Sequence, residues 1–451
     1  MSQERPIRLK AGPWSVEVER TTGWARAIRL GGHEVGRAVY ANVRDENWRT
    51  MSQRVVNHRA AQEEDRFEAS WQIELDELGF SWETLVRCDG RSLTIEWIGT
   101  ANQEIRTRRT GLCFLHPLEL KGLPIEVAHS DGSLEGGAFP TLVEPNQPFF
   151  DISAISHPVA GAKVRIGFAG EVFEMEDQRN WTDASFKTYC RPQSWDQPYT
   201  LAPGQKVHHG VHLEFEGELV PIDRPCVTHL TPTGRTVRIP KLGTVSAAPV
   251  HGFDFVIPPE RPEDWTGAGF GRVQYAGANF VDLNRNRPAI GDFDAVAFGA
   301  TPQTHAFDER SIMENVRGLV DAIESANEIT AGKPVCVGPI RFQNKRVEYD
   351  FRVDREIGPA WFLATVLACA EAGADACCIL EGANFRGGLR EAANLLEDVL
   401  EVELLDSIDP YRVVGFRIPD KGMILINMRS FATSVECHGD HELEPYEVYV
   451  C

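Results

Sequence analysis

The sequence predicts a multidomain α and β protein: an N-terminal antiparallel β-sandwich, an abbreviated (β/α)-barrel-like domain and a small C-terminal β domain. Three changes of pattern predict it. Up to about residue 216 apolar residues recur with period two, from about 271 buried strands alternate with amphipathic helices, and after about 406 alternation returns. The boundaries that follow are 1–220 for the sandwich, 221–240 for a proline-rich linker, 241–405 for the barrel-like domain and 406–451 for the C-terminal strands.

The sandwich is written in the sets Trp14/Val16/Val18, Trp71/Ile73/Leu75, Leu93/Ile95/Trp97, Val164/Ile166/Phe168 and Val211/Leu213/Phe215, each interleaved with polar residues. Such strands bury one face and wet the other, and many of them joined by Gly, Pro and Asn turns close into two packed sheets. One stretch departs from this grammar. "FEMEDQRNWTDASFKTYCRP", Phe173 to Pro192, is dense in acids, bases and aromatics and shows no apolar period across its length. A folded domain keeps such a block for a junction with another domain or for ligand contact.

The barrel-like region is a series of strand and helix units. "DAVAFGA" reads as a buried strand, and the following "SIMENVRGLVDAIESANEIT" opens with a capping box at Ser311 and Glu314 and gathers Ile312, Val316, Leu319, Val320 and Ile323 on one face. "PVCVGPI" with "PAWFLATVLACAEAG", and "ADACCILEG" with "LREAANLLEDVLEVE", repeat the unit, and "GRVQYAGAN" supplies a further strand. Alternation of this kind builds a parallel sheet, and parallel sheets place their ligands beyond the carboxyl ends of the strands. That rule selects Asn279, the run "LNRNRP" with Asn284, Arg285 and Arg287, the run "PQTHAFD" with Gln303, His305 and Asp308, then Arg341 with Asn344, and finally Glu381 with Asn384 and Arg386.

Each has a chemical rationale and a structural rival. Glu381 ends the apolar run "ACCILE", where an apolar floor suits a carboxylate for proton transfer or attack, or it caps the next loop or pairs with Arg386. His305 with Asp308 has the form of an imidazole and its orienting acid, but Asp308 also stands three residues before Ser311, where a negative charge complements a helix N-terminus. The Asn and Arg groups of "LNRNRP" suit sugar hydroxyls or a carboxylate, and suit equally a loop that staples the barrel rim.

Composition narrows the function. The formal net charge is −20, which disfavours nucleic acid and anionic lipid as partners. "MSQERPIRLKAGPWSVEV" contains no signal-peptide core and no window reaches the roughly 18 apolar residues of a membrane span, so a cytoplasmic protein without membrane contact is expected. The ten cysteines show no metal-ligand spacing and no disulfide framework, so neither a metal nor a cofactor is expected.

Taken together, "FEMEDQRNWTDASFKTY", "LNRNRP", "PQTHAFD" and "LEGANFRGG" resemble the D-apionate lactonase family. The resemblance implies a β-sandwich, a TIM-barrel-like domain and a C-terminal β domain, with hydrolysis of a sugar lactone in carbohydrate catabolism. It places Glu176, Asp177, Arg179 and Trp181 of the polar block near the crevice or at the domain junction. The chain departs from a full barrel, which takes about 250 residues, because Pro240 to Gly271 is too short for several strand and helix units. A lactone needs one base and an oxyanion site, and so tolerates that reduction; the alternatives are a glycoside hydrolase-like enzyme or a non-catalytic sugar-binding relative. A parallel sheet with an uncovered edge also implies a homo-oligomer.

Overall fold

The computed structural model describes residues 5–223, 227–344, 347–381, 387–419 and 421–451. Up to Gly217 the chain forms 17 strands joined in one continuous antiparallel arrangement, from Ile7–Ala11 to Lys206–Gly217. Its register follows from the period-two sets. Ile166 faces Leu213, which faces Leu93 on the next strand, and Val211 lies between Phe168 and Ile95. Every inward row therefore meets another inward row, since a slip of one residue would turn each apolar set to water. Trp14, Trp71 and Trp97 lie fully buried in this core.

The polar block is two strands after all. Phe173–Asp177 and Phe186–Cys190 pair as an antiparallel hairpin around the short helical turn Gln178–Trp181, and the second strand also pairs with Ile105–His116. Phe173, Met175, Phe186 and Cys190 join the sandwich core, whereas Glu174, Glu176, Lys187 and Tyr189 alternate with them. Both faces are covered, so the alternation is of apolar against charged residues that are themselves inside the protein. That arrangement hides a strand from hydrophobic periodicity.

Six parallel strands form the barrel-like sheet in the order Phe255–Ile257, Lys241–Val245, Ala376–Glu381, Val335–Ile340, Ala295–Ala300 and Val273–Tyr275. Read as a ring, this is sequence order, the last strand returning to pair with the first, and the ring is broken only between Phe255–Ile257 and Val273–Tyr275. Helices follow four of the strands: α1 (Phe280–Arg285), α2 and α3 (Glu309–Glu314 and Val316–Ile329), α4 (Ile357–Glu371) and α5 (Gly388–Leu395). Small residues line one face of the strands, Ala295, Ala297, Cys336, Ala376 and Cys378, and large ones such as Val296, Phe298, Val337 and Ile379 meet the helices. Trp265, delivered by the segment that spans the break, lies 1% exposed among the small residues. The chain thus fills the interior of its own reduced barrel.

The stretch 221–240, expected as a linker, contributes the strand Thr228–Arg238. It pairs with Glu401–Ser407 and Thr433–Glu436 in a seven-stranded sheet that also holds the other C-terminal strands. No helix among the described residues is long and apolar enough to cross a membrane.

Buried charge joins the three bodies. Glu314 of α2 accepts from Arg310 at 2.9 Å and from Arg429 of the C-terminal body at 2.8 Å, and also pairs with Arg37 of the sandwich. Arg26 and Arg310 reach Glu19 and Glu17 at 2.7 and 3.0 Å. Nearer the polar block, Arg179 is fully buried: it forks onto Asp177 at 2.8 and 2.7 Å, reaches Asp321 of α3 at 2.9 Å and donates to the carbonyls of Pro140, Thr141 and Leu142.

Two outcomes are expected. Arg179→Met strands two buried carboxylates and lowers the unfolding free energy by about 3–5 kcal/mol, read by urea denaturation; a loss below about 1 kcal/mol would show the clamp to be dispensable. His157, 1% exposed, has its pKa pushed down by burial from 6.5 to about 4. Its contribution is intact above pH 6.5 and is lost as pH falls toward 4, because the unfolded chain takes up the proton first; the loss is on the order of 3 kcal/mol. Stability measured at several pH values should fall less steeply in that window for His157→Phe.

Candidate functional site

The sandwich and the carboxyl ends of the barrel strands enclose a cavity of about 650 Å³. From the barrel come Asn279, beyond the strand ending at Tyr275, then Thr301, Thr304, His305 and Phe307, beyond Ala300, and Asn344, beyond Ile340. The opposite wall is sandwich: Arg44, Trp48, Arg109, Glu176, Trp181 and Lys187. Asn279, His305 and Asn344, which the strand-end rule selects, thus line the barrel side of this cavity, and Glu176, Trp181 and Lys187 of the polar block line the other.

His305 lines the cavity on the barrel side. Its Nδ1 hydrogen bonds to the carboxylate of Asp183, and its ring meets Trp181 edge to face at 5.9 Å. Asp183 is 3% exposed and its other oxygen accepts from Asn315 Nδ2 at 2.8 Å; Asn315 also accepts from the backbone of Ala184 at 3.1 Å. With Nδ1 committed to Asp183, the imidazole offers Nε2 to the cavity it lines. Gly318 at the start of α3 makes this close approach possible: a Cβ there would lie 2.5 Å from the Thr182 carbonyl oxygen and 2.7 Å from backbone atoms of Asp183.

Glu176 is the acidic group of the sandwich wall. It pairs with Lys187 at 2.6 Å and accepts from Trp181 Nε1 at 3.0 Å. Burial pushes its carboxyl up, but Lys187, His305 and Arg109 outweigh burial and hold it far below the usual carboxylate range. It is a fixed negative charge, not a proton donor.

Other expected site residues have different tasks. Asp308 does not orient His305. It accepts from Ser311 N at 2.9 Å as the cap of α2 and pairs with Arg26 at 2.9 Å, so its helix-terminus role prevails. Asn284, 2% exposed, donates to Val143 O at 2.9 Å and Asn180 Oδ1 at 3.0 Å, Arg285 donates to Pro145 O at 2.8 Å, and Arg287 donates to Asn284 Oδ1 at 3.0 Å. The "LNRNRP" run is thus a staple between barrel rim and sandwich. Gln303 is internal, donating to Phe342 O and Asp350 at 2.7 and 3.0 Å. Asp177 and Arg179 belong to the buried clamp. Arg341 lies close enough to act electrostatically on Tyr275, whose hydroxyl burial pushes up to about 12, but it does not line the cavity. Glu381 closes its strand opposite Val245; its side chain, with Asn384 and Arg386, falls outside the described residues.

Asp183, Asn315, Lys187, Arg44 and Arg109 escaped the sequence reading. Asp183 sits inside the polar block, yet nothing local distinguishes it from its acidic neighbours, and its partner is 122 positions away. Among the described residues one trio has metal-ligand chemistry, Glu171, Cys190 and His209; none of the three lines the cavity.

Residues 1–218 match the family model described as D-apionate lactonase, N-terminal domain, and residues 270–403 the D-apionate lactonase TIM barrel domain. A D-apionate lactonase from Brucella anthropi is 35% identical over 220 residues, covering 48% of this chain and 36% of that protein's length. Among solved structures, a GH36 α-galactosidase from Geobacillus stearothermophilus matches at 9% identity and a TM-score of 0.35, over 95% of this chain and 91% of the other. A putative aldose 1-epimerase from Escherichia coli matches at 10% identity and a TM-score of 0.32, over 47% of this chain and 99% of the other.

Two substitutions separate scaffold from site. Asp308→Ala should cost about 1 kcal/mol or more of stability through the lost cap and leave the activity of the folded protein unchanged. Gly318→Ala should force α3 away from Thr182 and Asp183, lowering kcat by roughly tenfold or more with little change in KM. Equal kinetic effects of the two changes would break the link between α3 and His305.

Proposed function

The chain belongs to the D-apionate lactonase family, and from that membership together with the cavity we propose that it hydrolyses a sugar lactone, with the lactone of D-apionate as the first substrate to test. The observation that carries the reading is the His305–Asp183 pair at the cavity. Asp183 holds the Nδ1 proton, so Nε2 takes a proton from water as that water attacks the lactone carbonyl. Carbon and oxygen form a bond, the carbonyl electrons move to its oxygen, and the adduct collapses by breaking the bond to the ring oxygen. The imidazolium returns its proton to that oxygen, giving an alcohol and a carboxylic acid. Asn279 and Asn344 line the cavity on the barrel side and are the groups assigned here to the sugar hydroxyls, and the sandwich wall opposite supplies positive charge toward the developing oxyanion.

Charge at the cavity favours a lactone over a glycoside. A glycosidase needs a carboxyl that stays protonated to donate to the leaving group. Glu176 lines the cavity but is held ionised by Lys187. Glu381 remains a proposed second group, because its strand ends at the same face as the His305 loop.

A pH-stat assay of acid release tests the reading. His305→Asn should lower kcat about 10²- to 10⁴-fold, with Asp183→Asn causing a loss in the same range. Full activity of both would exclude the pair. Glu381→Gln in the same assay decides whether that carboxylate is essential: an unchanged kcat removes it from the chemistry.

A further inference from the structure

One cation on the sandwich wall of the cavity has no ion-pair partner among the described residues. Arg44, Arg49, Arg109 and Lys187 line that wall, against the single carboxylate of Glu176. Arg49 is matched by Asp45 at 2.7 Å and Lys187 by Glu176 at 2.6 Å. Arg109 differs. It is 3% exposed, its Nε has no hydrogen-bond partner, and among the described residues it forms no ion pair. Its guanidinium lies over the Tyr189 ring at 3.9 Å and faces Trp48 at 5.6 Å, so the planar group is held by aromatic faces.

The strand register sharpens the imbalance. Arg44 and Arg109 are direct cross-strand partners in the pairing of His33–Asp45 with Ile105–His116, and both face the cavity. Like charges directly opposite one another on a sheet destabilise it. A buried guanidinium without a counter-charge is costly as well. In a chain of net charge −20, a buried Arg109 with no ion pair among the described residues, beside an open cavity, is explained by an anion that arrives with the ligand.

We propose that Arg109, with Arg44 opposite, is a carboxylate-binding site, so that the cavity recognises its sugar ligand as the anion of a polyhydroxy acid. Arg109's planar fork matches a carboxylate with two parallel hydrogen bonds. The assignment rests on the reading of this cavity as the lactone site. The carboxylate has two possible sources: the acid released when a neutral lactone opens, or an acid group that the lactone already bears.

Calorimetric titration of the full chain with sodium gluconate and with sorbitol, its uncharged polyol counterpart, tests the proposal without relying on turnover or on any variant. Gluconate should bind at least about tenfold more tightly than sorbitol. Arg109→Gln should erase that preference, and Arg109→Lys, which keeps the charge without the fork, should retain part of it. Absence of gluconate binding to the wild-type protein, equal affinity for the two compounds, or a full preference surviving in a folded Arg109→Gln protein would each overturn it. Rates on gluconolactone and glucarolactone then identify the source. Faster hydrolysis of the acid-bearing lactone places the carboxylate on the substrate, and competitive inhibition by gluconate with equal rates places it on the product. Gluconate binding without hydrolysis of any lactone would refute the lactonase reading and leave the anion site standing.

Discussion

The placement of the cavity depends on one buried guanidinium. Arg179 is fully enclosed, and its donors meet Asp177 from its own hairpin, Asp321 from α3 and the carbonyls of Pro140, Thr141 and Leu142. No single domain supplies that set. Because a buried charge is tolerated only when its donors are matched, the sandwich hairpin and α3 are held in one relative position. The same hairpin turn then carries Asp183 against the start of α3, where Gly318 leaves room for it and Asn315 holds its free oxygen. His305 thus receives its orienting carboxylate from a different domain, and the scaffold clamp and the proposed chemistry lie within one short segment, from Asp177 to Asp183.

Electrostatics inside the cavity follow from the same hairpin. Alternation puts Phe173, Met175, Phe186 and Cys190 into the sandwich core and turns Glu176 and Lys187 toward the barrel. The Glu176–Lys187 pair neutralises itself and fixes Glu176 as an anion. Positive charge beyond that pair comes from the neighbouring strands through Arg44 and Arg109. The lactone hydrolysis proposed for this site gains from such a field, since negative charge develops on the carbonyl oxygen and persists in the product.

Much of this was legible in the sequence because burial on one face leaves a period. The sandwich sets, the apolar face of "SIMENVRGLVDAIESANEIT" and the strand ends at Asn279, His305 and Asn344 were readable from one-sided burial and the strand-end rule, although that stretch is two helices divided at Asn315 and capped by Asp308 and not by Ser311. The polar block was not read as strands, because both of its faces are buried and one is charged. Asp308 misled for a related reason: an acid three residues from His305 satisfies a local pattern, whereas the acid that touches His305 lies 122 positions earlier and is brought there by packing alone. Arg109 gives no local signal either, since its meaning lies in the arginine across the ladder and in what its neighbours fail to neutralise.

The reduced barrel shows why so much of the site lies outside it. In a full barrel, eight strand ends encircle the ligand; here six strands leave a break between Phe255–Ile257 and Val273–Tyr275, and Trp265 occupies the interior that the missing strands would have enlarged. The narrow interior, lined by alanine and cysteine, is filled by Trp265, and the open space lies above the strand ends. There the barrel contributes asparagines and an imidazole, but the described strand ends bring no excess of positive charge into the cavity. The sandwich closes that space and brings the charge with it. A six-stranded barrel is therefore compatible with the proposed site as long as the sandwich wall keeps its register, which ties the proposed chemistry to the cross-strand pairing of Arg44 with Arg109 and to the hairpin that carries Glu176, Asp183 and Lys187.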